Sequence, residues 1–418
     1  MTKRILLGLA MVILSVSIAT AQVSIPEQLP ISTGNYSGSA ARPLGLAGTY
    51  TGIADDYSSI WWNPAGLAQV KRIELQASVL REGTKNETDY FATSREGTAS
   101  NFRLNNLGMV FPVPVYQGAL SFAFGYSQVY GFDGRTLFAS SQAGTRYWDD
   151  YDELIEGRLG MWSLAGAVDI TPNLALGLGL NYWTGLRDYS RTAYYTENGS
   201  RQYTESTINA DISAWGANVG GLFRIGRYVR AGLMLQTPMS MAIDEEWAQD
   251  NEDGYFNYRM TYPAVIRLGA SVAPGRWLVA ADLEYRDWTA MEFRSDTPYS
   301  GVGKASANQQ IKDDYQATTR LSLGGEYLFP AFGLRLRGGY AYEPSNYKPA
   351  GSDADRNIFA FGVGVLIDRS VMLDAGLQFA SFQRTSSDGS TDQYNNPIFN
   401  LKEDVSKTTA LVTLSYRM

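Results

Sequence analysis

After residue 72 the chain alternates almost everywhere between one apolar face and one small or polar face. In "RWLVAADLEYRDW", residues 276–288, Trp277, Val279, Ala281, Leu283 and Tyr285 fall on one side, and Arg276, Ala280, Asp282, Glu284 and Arg286 on the other. In "FGLRLRGGYAY", residues 332–342, Leu334, Leu336, Gly338, Tyr340 and Tyr342 oppose Arg335, Arg337, Gly339 and Ala341. The final "TALVTLSYRM" repeats the pattern with Ala410, Val412, Leu414, Tyr416 and Met418. Period two is the signature of strands with two different environments. It predicts fourteen strands, at 73–80, 99–113, 116–130, 158–170, 174–188, 203–225, 228–242, 256–273, 276–291, 314–329, 332–343, 356–367, 370–383 and 407–417.

Alternation alone fits either a soluble sandwich, with its apolar face on a core, or a membrane barrel, with its apolar face on lipid. The connections separate the two. Tight turns fall at "PVPVYQG", "DITPNL", "RIGRYVR", "VAPGRW", "LFPAFG" and "LIDRSV", and longer polar loops at 81–98, 131–157, 189–202, 243–255, 292–313, 344–355 and 384–406. Short and long connections interleave strictly, as in an even-stranded outer-membrane barrel with both termini in the periplasm. Many strands exceed the nine or so residues needed to cross tilted, and aromatic residues gather at strand ends as interfacial girdles do. The expected fold is therefore a 14-stranded antiparallel outer-membrane β-barrel, which closes without leaving an unpaired edge in lipid.

The chain before residue 73 follows other rules. Lys3 and Arg4 precede the apolar run "ILLGLAMVILSVSIA", and Ala19-Thr20-Ala21 ends it. This reads as a secretory leader, residues 1–21, with the mature chain starting at Gln22. Residues 22–72 do not alternate and are rich in small residues between 38 and 54. A barrel of fourteen strands is too wide for its own side chains to fill, so this segment is expected to fold inside the lumen as a plug, or hatch, with the barrel occupying 73–418.

Composition removes several functions. The 418 residues contain no histidine and no cysteine. The usual general base, the Ser-His and Cys-His pairs and the commonest zinc ligands are absent, so neither an enzyme nor a metal or other cofactor is expected. The net charge of −7 is spread along the chain without a basic block, which argues against nucleic acid as a partner.

The stretch "ARPLGLAGTYTGIADDYSSIWWNPAGLA", residues 41–68, has a small-residue glycine segment followed by Ala54, Asp55, Asp56, Ser58, Ser59, Trp61, Asn63, Pro64, Ala65, Gly66 and Leu67. It resembles the N-terminal signature of the FadL-type transporters of long-chain fatty acids and aromatic hydrocarbons. The segments "LEYRDWTAMEF" and "LRLRGGYAYEP" resemble C-terminal strands of the same family. The resemblance implies a hatch-filled barrel in the outer membrane, surrounded by lipid and lipopolysaccharide and inserted by the barrel assembly machinery. It implies passive uptake of hydrophobic small molecules through an apolar lumenal pocket, with sideways exit through a kinked strand into the bilayer. The chain departs from that class in ending on Met418, the aromatic standing at Tyr416.

On this reading Trp61 and Trp62 form the apolar surface of the hatch and contact either substrate or the barrel wall. Asn63 satisfies backbone groups at a turn, and Pro64 stops the preceding helical turn. Asp55 and Asp56 are expected to pair with arginines of the lumenal face, Arg267, Arg286, Arg320, Arg335 and Arg337, with Asp282, Glu284 and Glu326 on the same face. One arginine left unpaired could hold a substrate carboxylate by a bidentate fork. The loops at 131–157 and 189–202 are rich in Tyr, Arg and Asp. They sustain an alternative from the same fold family, a PorV-like docking component that keeps its lumen closed and binds a secreted protein at the outer surface.

Overall fold

The computed structural model describes residues 35–36, 38–90, 93–139, 148–197, 199–298, 301–348, 351–387 and 400–418. The leader expected at 1–21 lies outside them. Fourteen strands wind antiparallel into a closed barrel: β1 Glu74–Tyr90, β2 Thr93–Val113, β3 Leu120–Gly131 continued by Gly134–Ala139, β4 Trp148–Thr171, β5 Leu174–Glu197, β6 Ser200–Ile225, β7 Val229–Gln236 with Met239–Gln249, β8 Glu252–Tyr262 with Val265–Val272, β9 Trp277–Asp287 with Glu292–Phe293, β10 Ala317–Phe329, β11 Leu334–Glu343, β12 Arg356–Leu366, β13 Val371–Ser387 and β14 Asn400–Arg417. Closure comes from β14 on β1, from Lys402 opposite Asp89 to Arg417 opposite Glu74.

The lipid belt is where period two predicts it. Leu107, Met109 and Phe111 on β2, Leu176, Leu178 and Leu180 on β5, and Leu321 and Leu323 on β10 point outward. Aromatics bound the belt: Trp162, Tyr182, Trp215 and Tyr285 toward the long hairpins, and Tyr116, Tyr228, Trp277 and Tyr416 toward the short turns. All fourteen strands correspond to predicted ones, but several reach much further outward. β1 and β2 run together to Tyr90 opposite Thr93, through the segment expected as the loop 81–98. In this stretch, "REGTKNETDY", the inward residues Glu82, Thr84, Asn86 and Thr88 are buried but polar, so it carries no apolar period to read. Pairs such as Lys85 with Glu96 decorate it instead.

Two more departures concern the interior. The runs 228–242 and 256–273, expected as unbroken strands, each break at a proline, Pro238 and Pro263. The loop expected at 292–313 carries a helix, Lys304–Asp314, whose Ala307 and Ile311 are buried.

Residues 38–68 are almost entirely buried and touch strands on every side of the barrel. The hatch has three short helical turns: α1 Ala41–Gly45, α2 Ser59–Trp62 and a 3-10 turn Pro64–Gln69. The Ala41 amide donates to Thr413 Oγ1 of β14 at 2.8 Å. The Tyr50 and Thr51 amides converge on Asp282 Oδ2 of β9 at 2.8 and 2.7 Å. Ser271 of β8 donates to the Gly52 carbonyl at 2.8 Å, Asn218 of β6 to Ile60 at 3.3 Å, and the Tyr57 amide donates to Glu74 of β1 at 2.8 Å. Each bond satisfies a hatch backbone group that a buried, irregular segment would otherwise leave unpaired.

So close an approach requires a bare wall. Gly232 lies against the Thr51 carbonyl, Gly220 against Asn63, Gly339 against Leu46 and Gly376 against the Ala41 carbonyl. A Cβ at Gly232, Gly339 or Gly376 would collide first with hatch backbone, and one at Gly220 with the buried, doubly hydrogen-bonded Asn63 amide. Gly232→Val should unseat the hatch, at about 1–3 kcal/mol for overpacking a rigid contact. In planar bilayers the variant should conduct ions while the wild type stays closed.

Candidate functional site

The hatch lies across the lumen, with an ion-paired cluster on the side of the short turns; on the side of the long hairpins, apolar side chains share the interior with buried ion pairs such as Arg103 with Asp133 and Arg384 with Glu403. On the short-turn side Arg42 is the hub. Its guanidinium pairs with Asp55, donates to Tyr50 Oη at 3.1 Å and reaches Glu326 of β10 at 3.1 Å. Glu326 also accepts from Arg337 of β11 at 2.6 Å, and Arg337 continues to Asp374 of β13 at 2.6 Å. Asp56 accepts from Tyr50 Oη at 2.8 Å and from Ser58. The partners expected for Asp55 and Asp56 were the five wall arginines. Asp55 pairs instead with Arg42, within the hatch, and Asp56 bonds to neighbouring hydroxyls. Sequence spacing could not favour Arg42, because its helical turn folds back over the thirteen residues to Asp55 only once the wall confines it.

The five wall arginines all face the lumen, and each has a carboxylate partner. Arg267 meets Glu284 at 2.6 Å, Arg286 the same Glu284 at 3.3 Å, Arg320 Glu343 at 3.5 Å, Arg335 Glu326 at 3.8 Å, and Arg337 Glu326 and Asp374. A substrate carboxylate therefore finds none of the five unengaged. Arg267 also stacks on the hatch, 4.4 Å from the Trp61 ring and 5.3 Å from Trp62, and donates to the Trp61 carbonyl at 3.1 Å.

The two tryptophans share burial but not surroundings. Trp62 packs inward on the hatch, edge-on to Tyr50 at 6.4 Å and against Gly48. Trp61 faces the wall, edge-on to Trp183 of β5 at 5.7 Å and to Tyr130 of β3 at 6.4 Å. Asn63 donates to the Thr51 carbonyl at 3.0 Å and the Gly221 carbonyl at 3.0 Å, and accepts from the Ala65 amide at 3.2 Å. Pro64 follows it at the first position of the 3-10 turn, where a missing N–H costs nothing.

Outward of Trp61 the lumen is lined by Met161, Ile212, Met239, Met241, Ile243, Met260, Met291 and Phe293, one buried cluster that extends to Ala307 and Ile311 of the loop helix. Sequence reading missed this methionine lining. Its signal was present in "TPMSMAI" and "RMTYPA", where methionines alternate beside strand-breaking prolines. The periplasmic mouth is different in kind. A cavity of about 360 Å³ there is lined by Asp55, Gln69, Lys71, Asp169, Arg224, Arg230 and Arg417.

One seam of the wall is filled by the hatch's leading segment. β2 and β3 pair only from Val113–Leu120 up to Asn106–Ser127. Above that, Asn35–Tyr36 pairs with Tyr130–Gly131 of β3. Asn105 donates to the Gly38 carbonyl at 3.1 Å, and Asn106 to the Ser39 carbonyl. Asn35–Tyr36 and residues 38–39 thus stand in for the missing strand contact.

Burial alone would lift the Asp55 carboxyl, but Arg42, helped by Arg230 and Arg417, outweighs it and holds the group below an ordinary aspartate. Asp56, equally buried and beside Asp55, is raised. Asp55 therefore adds stability that is complete above the free-aspartate value of about 3.9 and is lost as pH falls through its lower folded value. Asp56 acts in the opposite sense, since protonation relieves its buried charge. Trypsin access to the hatch in wild type should stay low from neutral pH down to about 4. Arg42→Ala should raise access across that whole range, with a loss of about 3 kcal/mol for a broken buried pair.

The profile of one family, described as outer membrane protein transport protein (OMPP1/FadL/TodX), matches residues 32–418. Among solved structures, the Pseudomonas putida toluene transporter TodX superposes with a TM-score of 0.66 at 14% identity, covering 93% of this chain and 99% of its own. A Pseudomonas aeruginosa FadL homologue gives 0.66 at 13%, covering 91% and 98%. The Ralstonia pickettii toluene transporter TbuX gives 0.62 at 13%, covering 92% and 99%. At these identities the likeness is one of fold. No curated protein sequence matches the chain.

Proposed function

The chain belongs to the outer membrane protein transport family (OMPP1/FadL/TodX), and from that premise we propose that it carries hydrophobic molecules, long-chain fatty acids or aromatic hydrocarbons, passively through its lumen. The division into a leader (1–21), a hatch (22–72) and a barrel (73–418) is part of this proposal, as is a periplasmic position for both termini. The carrying observation is the continuous apolar lining from the loop helix to Trp61. An apolar ligand moving along it keeps its surface out of water, at roughly 25 cal/mol per Å². Methionine suits such a path, because an unbranched thioether rearranges around ligands of different shape.

Between the two ligand classes, the paired state of the five wall arginines favours a neutral molecule, since a carboxylate would have to displace Glu284, Glu326, Glu343 or Asp374. Exit into the bilayer fits the β2–β3 seam, where withdrawal of Asn35–Tyr36 and residues 38–39 from Tyr130, Asn105 and Asn106 would part the wall. The charged periplasmic mouth is a poor route for the same ligand, because it offers almost no apolar contact. A transporter of this kind needs no reaction, and with neither histidine nor cysteine the lumen offers no nucleophile–base pair of the usual kinds. The docking alternative is not favoured, since its sealed lumen would leave the methionine lining without a use.

In cells lacking their own hydrophobic-uptake channel, expression of the chain should accelerate uptake of toluene or oleate. Trp61→Ala should weaken retention of the same compound by the purified protein about tenfold, or about 1.4 kcal/mol. Uptake that stays at the background rate for both compounds would sink the proposal.

A further inference from the structure

Three neighbouring strands lose their regularity side by side. β7 breaks between Gln236 and Met239, β8 between Tyr262 and Val265, and β9 between Asp287 and Glu292, where Trp288–Ala290 forms a 3-10 turn. Gln236 pairs with Val265 and Met239 with Tyr262, so Thr237–Pro238 lies opposite Pro263–Ala264 with no paired residues between. Neither proline has an N–H to give. The Thr237 amide turns away to the Ala217 carbonyl of β6 at 2.9 Å. Ala264 is left with the single amide that can serve this stretch of seam.

Proline is confined to edges and bulges because it deletes a ladder bond. Two facing prolines inside a membrane wall are a larger departure, since lipid supplies no replacement donor. The facing order slips as well. Gln236 and Met239 both point into the lumen although they are three apart, and so do Tyr262 and Val265. Above and below, the same two strands are laddered from Met239–Gln249 on Glu252–Tyr262 and from Val229–Gln236 on Val265–Val272. The weakness is local.

Its position and backing suit a hydrophobic passage. The break lies immediately outward of the lipid-facing Leu235, Ile266 and Tyr285, at the outer rim of the apolar belt. Behind it stand Met239, Met241, Met260 and Met291, all buried and all in the cluster that contains Trp61. The side chain of Met239, next to Pro238, is held by packing and by one weak contact, its sulfur accepting from Gln236 Nε2 at 3.5 Å. What closes the seam is therefore the packing of soft side chains rather than a ladder.

We infer that the gap between β7 and β8 at Pro238 and Pro263 is a lateral portal through which a neutral apolar molecule dissolved in the outer leaflet enters the methionine-lined lumen, with Met239 and Met260 swinging aside. The portal rests on the transport reading above and is distinct from the β2–β3 seam, which Asn35–Tyr36 and residues 38–39 fill. It spares the ligand a crossing of the polar outer hairpins, where ion pairs such as Lys85 with Glu96 and Arg135 with Asp152 face water.

The chain has no cysteine, so a Thr237→Cys/Ala264→Cys pair places one disulfide across the seam. In proteoliposomes, 1-bromododecane added to the membrane quenches lumenal tryptophans on entry. The slow quenching phase that disappears in a Trp61→Phe/Trp183→Phe background reports arrival. That phase should be about tenfold slower in the oxidised pair, return to the wild-type rate on reduction, and reach the same final amplitude. Pro238→Thr/Pro263→Thr, which restores two ladder donors without any cross-link, should slow it in the same direction. Equal rates for the wild type, the oxidised pair and the double threonine variant would overturn the portal while leaving transport intact. A wild type with no slow phase and no retained toluene or bromododecane would overturn the transport reading and the portal with it.

Discussion

A closed wall of fourteen strands in lipid must contain every backbone hydrogen bond within itself, and in doing so it encloses more space than its inward side chains occupy. The rest of this structure follows from that surplus volume. The wall presents glycines such as Gly220, Gly232, Gly339 and Gly376 where the hatch approaches, so hatch and wall meet backbone to backbone. Hatch amides and carbonyls, which no regular ladder serves, are satisfied by wall side chains including Asp282, Ser271, Asn218 and Thr413. The hatch is thereby a part of the core, although it is not itself part of the regular ladder of the wall.

Arg42, Asp55, Glu326, Arg337 and Asp374 form a chain of ion pairs on the short-turn side of the hatch. Buried pairs of this sort contribute little net stability but are costly to break singly, which suits a closure that must not leak. Above them the Arg267 guanidinium stacks on Trp61, and the methionine and aromatic cluster beyond it shares the lumen with further ion pairs such as Arg103 with Asp133.

The wall is uneven in strength for identifiable reasons. Most neighbouring strands are laddered along nearly their whole shared length, as β5 and β6 are from Leu174–Phe223 to Glu197–Ser200. The β2–β3 seam stops at Asn106–Ser127 and borrows Asn35–Tyr36 and residues 38–39 as filling. The β7–β8 seam is interrupted at two prolines and filled by side chains alone. In a medium without water these differences decide where a wall can part, because everywhere else parting would strand several donors and acceptors at once.

Much of this was legible along the chain. Period two identified all fourteen membrane-crossing strands, because lipid on one side and lumen on the other force alternate residues into different chemistries. The apolar alternation stopped at the membrane surface, and so did its information: in the outer reach of β1 the buried inward residues, Glu82, Thr84, Asn86 and Thr88, are polar, and the stretch reads as a loop. Pro238 and Pro263 were visible as residues, but that they face each other depends on the register between two strands, which period two does not set. The arginines on the lumenal face could be named, yet their partners could not, since Asp55 meets Arg42 and Arg337 meets Asp374 only after the barrel has closed around the hatch. The sequence by itself determined the strands, their two faces and the presence of a filling segment, because each of these is a local response to solvent. The tertiary structure alone decided which charges pair and which seams are weak, because both depend on distances between residues far apart in the chain.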